Sequence, residues 1–406
     1  MTILIPPLWS DQNNMKFLLI YVPNLRFNGY TENWQKYRTI ELGQMQRGKS
    51  KHRPRDDEKL YGGAYPFIQT GDIKKANLYI KEYERTYSNY GLSQSKLWSK
   101  GTLCITIAAN IAETAILGLN ACFPDSVIGW ISNEKITNNI FIKYYFDFYK
   151  TQLKRLSVGG AQENLNLDKL ENVYFHIPTL PEQNDITNLL TKIDELIETQ
   201  IKIIDDLILQ KKYIIYSLLE AIQDNEKIML KDLLFDYNVK TTINNEYPVL
   251  SSTASGMYLQ TEYFNKEAAS DNTTGYKIIP RGYCTYRSMS DTGLFTFNIQ
   301  NLVEKGIVSP AYPVFSANNY SNEFIILYLN NASYIKKQIL ELKSGGTRFA
   351  LPFSTLGTLK IPKLEKEKQL SFIKTITAFE RKIKNEEKIL NDLHKQKNYL
   401  LNNMFI

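Results

Sequence analysis

The chain is poor in the residues that carry out chemistry. Among 406 residues there are three cysteines, three histidines and four tryptophans. Cys104, Cys122 and Cys284 are scattered with no CxxC spacing, and His52, His176 and His394 sit near none of them. That pattern argues against a zinc site and against a disulfide framework, and it points to a reducing, cytoplasmic compartment. Long apolar runs are lacking too. FLLIYV, Phe17 to Val22, is too short to span a bilayer and has no cleavage-site flank, so no membrane partner is expected. The stretch before Met15 reads as unstructured, which makes Met15 a second candidate start.

Catalytic signatures are missing as well. There is no GxGxxG, HExxH or GxSxG, and Pro6-Pro7 is followed by Leu8 rather than by an aromatic residue. The acid pairs Asp56-Asp57 and Asp205-Asp206 fall in a charged loop and on a helix flank, where solvation explains them. One motif tempts. Gly43 to Ser50 reads GQMQRGKS and fits the phosphate-loop pattern letter for letter. A phosphate loop needs a buried strand before it and a helix N-terminus after it. Here KYRTIEL precedes, and a charged run with Pro54 follows. A basic loop of Lys49, Lys51, His52, Arg53 and Arg55, suited to DNA phosphates, is the better reading.

What the chain has is length, tyrosine and repetition. Its 43% hydrophobic and 22% charged content suits two domains with cores of their own, and a net charge of +7 permits a nucleic-acid partner without demanding one. Motifs recur at a near-constant offset. Tyr65-Pro66 returns as Tyr247-Pro248, Lys100-Gly101 as Arg281-Gly282, Gly159-Gly160 as Gly345-Gly346, and Ile177-Pro178 as Ile361-Pro362. That period is far too long for a solenoid; it is the length of a domain plus a helix. Within each copy the first part reads as mixed α/β, with short β-rich runs such as YPFIQT, TLCITIA, YCTYRS and EFIILYL.

Each copy closes on a long amphipathic helix of about 40 residues, roughly 60 Å at 1.5 Å per residue. In the first, a 3-4 spacing runs through Ile186, Leu189, Ile193, Leu196, Gln200, Ile203, Leu207, Gln210, Ile214, Ser217 and Ala221. In the second it runs through Phe372, Ile376, Phe379, Ile383, Glu386, Leu390, Leu393, Lys397, Leu400 and Met404. Such a seam asks for a partner helix, and each helix is the other's match in length. The expected fold is α+β: two mixed α/β domains joined by two long antiparallel coiled-coil helices, an internal repeat with pseudo-twofold character. Ile197, Ile201, Ile204 and Ile208 form a second apolar stripe, expected to be exposed and to bind partner subunits.

These motifs, in this order, resemble the specificity subunit of type I restriction–modification systems. VPNLRF with Trp34 looks like the family's opening segment. YGGAYPFIQTGDI and FPDSVIGW look like its first target-recognition domain, and YPVLSSTASGM, YRSMSDTG and GIVSPAYPVF like its second. IPTLPEQ with its helix resembles the central conserved region, although the second copy reads PKLEKEKQ and lacks the proline. The resemblance implies an N-terminal extension at 1–21, recognition domains at 22–178 and 223–362, and conserved helices at 179–222 and 363–406. It further implies a bacterial cytoplasmic protein without catalysis of its own, each domain reading one half of a bipartite duplex. The helices would set the spacing and dock two DNA-adenine methyltransferase subunits, with restriction/translocase subunits added. S-adenosylmethionine, ATP and Mg²⁺ would belong to those partners and no cofactor to this chain.

Candidate DNA contacts are the two glycine-rich segments before the conserved helices: Ser157, Gly159, Gly160 and Gln162, then Ser344, Gly345, Gly346, Thr347 and Arg348. Glycine permits close backbone approach, and Gln and Arg bond bidentately to base edges. The polar run Tyr286, Arg287, Ser288, Met289, Ser290 is a further candidate, as are Thr70 and Asp72 beside Lys74 and Lys75. The rival readings are a nucleotide-binding enzyme using GQMQRGKS and a coiled-coil adaptor without a DNA role.

Overall fold

Gly101 and Gly282 hold φ angles of +89° and +83°. Each follows a basic residue at a turn into a buried strand, where a side chain would be strained. From that shared turn the two halves of the chain build the same sheet. The computed structural model describes residues 2–3, 22–108, 110–157, 165, 167–263, 272–342 and 349–406. Those residues divide into two compact units, 1–203 with 387–406, and 204–386.

In the first unit a five-stranded sheet has the order Gly43–Arg47, Val127–Ser132, Leu103–Thr106, Thr114–Leu117, Tyr79–Ile80. All neighbours are antiparallel except the last pair. In the second unit a four-stranded sheet runs Leu234–Asp236, Val314–Ala317, Cys284–Tyr286, Phe297–Ile299, all antiparallel. The four antiparallel strands match in order, and the parallel strand Tyr79–Ile80 has no counterpart in the second sheet. A two-stranded ladder also recurs: Gln35–Arg38 with Tyr174–Ile177, then Lys227–Met229 with Lys360–Pro362.

One asparagine fastens each sheet to the helix behind it. Asn139 accepts from Ser132 N at 2.9 Å and donates to Gly101 O at 2.6 Å. Asn322 accepts from Ala317 N at 2.8 Å and donates to Gly282 O at 2.9 Å. A buried glutamine repeats as well: Gln183 donates to Pro178 O at 2.9 Å, and Gln369 to Leu364 O at 2.8 Å. Side chains that recur with the same backbone partners make the duplication structural and not merely textual.

The long helices are Leu180–Glu220 and Lys366–Met404. In the first unit the N-terminal half of the first helix packs through Ile186, Leu190, Ile193 and Ile197 into a core shared with Leu400, Leu401 and Met404. In the second unit Ile215, Leu219 and Ile222 share a core with Ile376. Within each unit, then, the start of one helix meets the end of the other, an antiparallel coiled-coil arrangement. The second helix keeps the expected seam, since its buried and half-buried residues include every one of Phe372 through Met404 in that series.

The first helix does not. Its buried positions run Ile186, Leu190, Ile193, Ile197, Gln200, Ile204, Leu207, while Leu196 and Ile203 are 54% and 38% exposed. The alternation is 4-3, not 3-4. Apolar residues at both 196 and 197, and again at 203 and 204, allow either phase, and packing selects one. The expected exposed stripe is corrected accordingly: Ile197 and Ile204 are buried in the seam, whereas Ile201 and Ile208 are exposed.

Candidate nucleic-acid interface

GQMQRGKS is not a phosphate loop. Gly43–Arg47 is an edge strand of the first sheet, and Gly48 N donates to Val127 O at 2.8 Å. A Cβ on Gly48 would lie 2.3 Å from Pro124 O, and one on Gly43 would lie 2.6 Å from Ile131 O. Both glycines are there because backbone passes close to backbone.

The chain after Gly48 forms the basic loop. Its base is tied down by Lys51 N to Gln94 O at 3.1 Å and Ser95 Oγ to Lys49 O at 2.8 Å. Lys49 and Lys51 are exposed and make no ion pair among the described residues. Burial and the nearby Lys49 charge hold the Lys96 ammonium below the ordinary lysine value. Lys96 lies 3.7 Å from the Trp98 ring centroid. Arg55 grips Asp125 with both carboxylate oxygens, at 2.8 and 2.9 Å, and Arg53 approaches the same carboxylate at 3.7 Å. Asp125 thus offsets part of the arginine charge, and Lys49 and Lys51 are left as exposed cations of this loop with no ion pair among the described residues.

The loop lies at one end of the sheet beside the turn 107–113. Ile107 N donates to Ser126 O at 3.0 Å, next to the Val127 carbonyl used by Gly48. Leu165, just past the first glycine-rich segment, donates its N–H to Ile107 O at 3.2 Å. The second unit repeats the arrangement. Leu351 N, just past the second glycine-rich segment, donates to Ser288 O at 2.8 Å, and Met289–Ser290 pairs with Phe349–Ala350. The run 286–290 and Phe349, Ala350 and Leu351, just past the second glycine-rich segment, therefore share one place. Gly159, Gly160, Gln162, Ser344, Gly345, Gly346, Thr347 and Arg348 lie outside the described residues, as does the side chain of Ser157, the last residue of the helix Asn139–Ser157.

Two sequence-based candidates are corrected. Tyr286 is fully buried and donates its hydroxyl to Leu351 O at 2.8 Å; it is a core residue. Asp72 is buried, and its carboxylate accepts from Gln69 N at 2.8 Å to close the start of the short helix Thr70–Lys75. It is a helix cap. Thr70 is half-buried, Lys74 is exposed, and Lys75 pairs with Glu84 at 2.5 Å, which raises the lysine's pKa. Arg287 is exposed; Ser288 donates to Ala311 O at 2.9 Å, and Ser290 Oγ accepts from Gly293 N at 3.1 Å. The sequence reading missed the turn 107–113, the first unit's counterpart of 287–293. Its letters are mostly apolar and small, and only the duplication could have drawn attention to it.

Among the described residues no three His, Cys, Asp or Glu side chains are grouped to hold a metal ion, and no helix is long and apolar enough to cross a membrane.

One construction built twice, with long helices that pair within each unit, defines an internally duplicated α+β protein. Residues 31–207 match the family model of the type I restriction modification DNA specificity domain. In sequence the chain is 27% identical over 191 residues to a protein of Methanocaldococcus jannaschii named for the type I restriction enzyme MjaX specificity subunit, covering 46% of this chain and 43% of that protein. It is 26% identical over 180 residues to the MjaIX specificity subunit of the same organism, covering 42% of this chain and 40% of that one. The matches thus span less than half the length of those relatives. In fold it is similar to the S subunit of a type I restriction-modification system from M. genitalium, with a TM-score of 0.55 at 16% identity over 95% of this chain and 99% of that one. A chain from a structure concerned with complex assembly and conformational transition of the type I R-M system gives 0.56 at 12% identity, over 91% and 96%. At that identity the likeness is one of fold. The resemblance to type I specificity subunits read from the motifs is borne out by the family model and the sequence relatives, and the expected fold by the solved structures.

Proposed function

We propose that the chain is the DNA-recognition subunit of a type I restriction–modification complex. The observation that carries this reading is the repetition of one construction: the same strand order, an asparagine clasp on a positive-φ glycine at one end of the sheet, and at the other end a turn whose carbonyl receives the N–H of Leu165 or Leu351. Two copies of one reading surface suit a bipartite duplex target, one half for each. The recognition domains are assigned to 22–178 and 223–362, with helices at 179–222 and 363–406 setting the unread gap and docking two methyltransferase subunits. Restriction/translocase subunits would join that core in the bacterial cytoplasm. Catalysis, with S-adenosylmethionine, ATP and Mg²⁺, falls to the partners. The basic loop supplies phosphate contacts, and the turns and glycine-rich segments supply base contacts. The test is to map methylated adenines made by the full chain with its modification subunits. Two half-sites separated by a fixed gap are expected. A single uninterrupted site, or no sequence preference, would overturn the reading.

A further inference from the structure

The turn between the strands Leu103–Thr106 and Thr114–Leu117 is built more firmly than a plain hairpin tip. Thr106 Oγ1 donates to the Asn110 carbonyl and accepts from Glu113 N at 2.9 Å. Glu113 is held from the neighbouring helix by Lys150 at 2.5 Å and Lys154 at 4.0 Å. Asn110 and Ala112 both take left-handed φ values, 42° and 62°, and the Ala112 side chain is fully buried. Strain of this kind persists only where the surroundings impose it. At the tip the Asn110 side chain is exposed, and its amide makes no hydrogen bond among the described residues.

We propose that Asn110 reads a base-pair edge in the half of the target met by the first unit. The proposal rests on the DNA-recognition reading above and names a residue for it. An asparagine amide is a paired donor and acceptor, the complement of adenine N6 and N7 in the major groove. Its placement comes from the repeat: the carbonyl of Ile107 receives the N–H of Leu165 as that of Ser288 receives the N–H of Leu351, so 107–113 stands where 287–293 stands in the second unit. Gly293, with φ +79°, takes the left-handed position there, and the second unit does without this amide. Lys49 and Lys51 flank the turn's end of the sheet and would fix the duplex backbone while the amide meets the base.

The experiment is selection of duplexes from a randomised pool by the full chain with its modification subunits. Wild type should enrich two half-sites. Asn110→Gly keeps the left-handed turn and removes the amide; it should lose preference at one base pair of one half-site by about 5- to 150-fold, leaving the other half untouched. Asn110→Asp should move the preference at that base pair from adenine toward cytosine, whose N4 donates to a carboxylate. Wild-type preferences from both variants would overturn the assignment of Asn110 while leaving the DNA reading intact. A wild-type chain that enriches no sequence would overturn both.

Discussion

In the first unit Lys397 Nζ lies 2.7 Å from Asp194 Oδ1, a buried ion pair on the seam between the two long helices. Tyr144, from the helix Asn139–Ser157, donates to the other Asp194 oxygen at 2.7 Å. The second unit has its own interhelical pair, Lys211 to Glu380 at 2.6 Å, but an exposed one. From Asp194 to Lys211 and from Lys397 back to Glu380 the step is the same 17 residues, as an antiparallel register requires. Breaking a buried pair strands the remaining charge. Asp194→Asn, which leaves the Lys397 ammonium buried beside Lys143 without its carboxylate, should therefore destabilise the chain by about 3–5 kcal/mol, and the double variant Asp194→Asn with Lys397→Met should regain most of it. Urea unfolding of wild type and the two variants checks this, and a double variant no better than the single would refute it.

The same lysine predicts a pH trend. Burial first, and then the Lys143 charge, lower its pKa, against the pull of Asp194. The folded state then releases the proton before the unfolded state does. Between the lowered value and the ordinary lysine value of 10.5 the unfolded state binds more protons, so this residue's contribution to stability rises with pH. Below that window the burial cost is present in full. The stability of wild type relative to Lys397→Met should rise as the pH approaches 10.5, and a difference independent of pH would count against the linkage.

The asparagine clasps should behave as equals. Asn139→Ala and Asn322→Ala each leave a backbone N–H and a carbonyl without their partner, at a cost of about 1–3 kcal/mol per site. The clasps share no contact, so the two losses should add to within roughly 0.5 kcal/mol. Hydrogen exchange at the Ser132 and Ala317 amides would report each loss in its own unit.

The basic loop should act through charge alone. Lys49→Ala and Lys51→Ala should each reduce the slope of log affinity against log salt by about 0.9 while leaving the selected sequence unchanged. A changed half-site would mean that these lysines read bases.

The corrected seam separates two pairs of isoleucines. Ile201→Glu and Ile208→Glu, on the exposed side, should leave thermal unfolding within about 1 °C and lower co-purification of modification subunits. Ile197→Glu and Ile204→Glu put a charge into the seam and should cost on the order of 4 kcal/mol. Equal effects from both pairs would remove the distinction.

Much of this protein was legible in its letters. Duplicated Gly, Pro and helix motifs announced two equivalent units, because a turn glycine such as Gly101 or Gly282 is dictated by local backbone geometry. The rejection of GQMQRGKS was legible for the same reason, since neither flank can form the elements a phosphate cradle needs. The second helix has apolar residues in only one workable phase, so its seam could be read directly. The first helix offers two, with Leu196 beside Ile197 and Ile203 beside Ile204, and only packing against the opposing helix chose between them. Tertiary structure alone also decided that Tyr286 and Asp72 face inward, because a hydroxyl or carboxylate is as well served by a buried backbone partner as by water or DNA. It brought Ile107 to Leu165 and Ser288 to Leu351, contacts between segments far apart in the chain that no local pattern encodes.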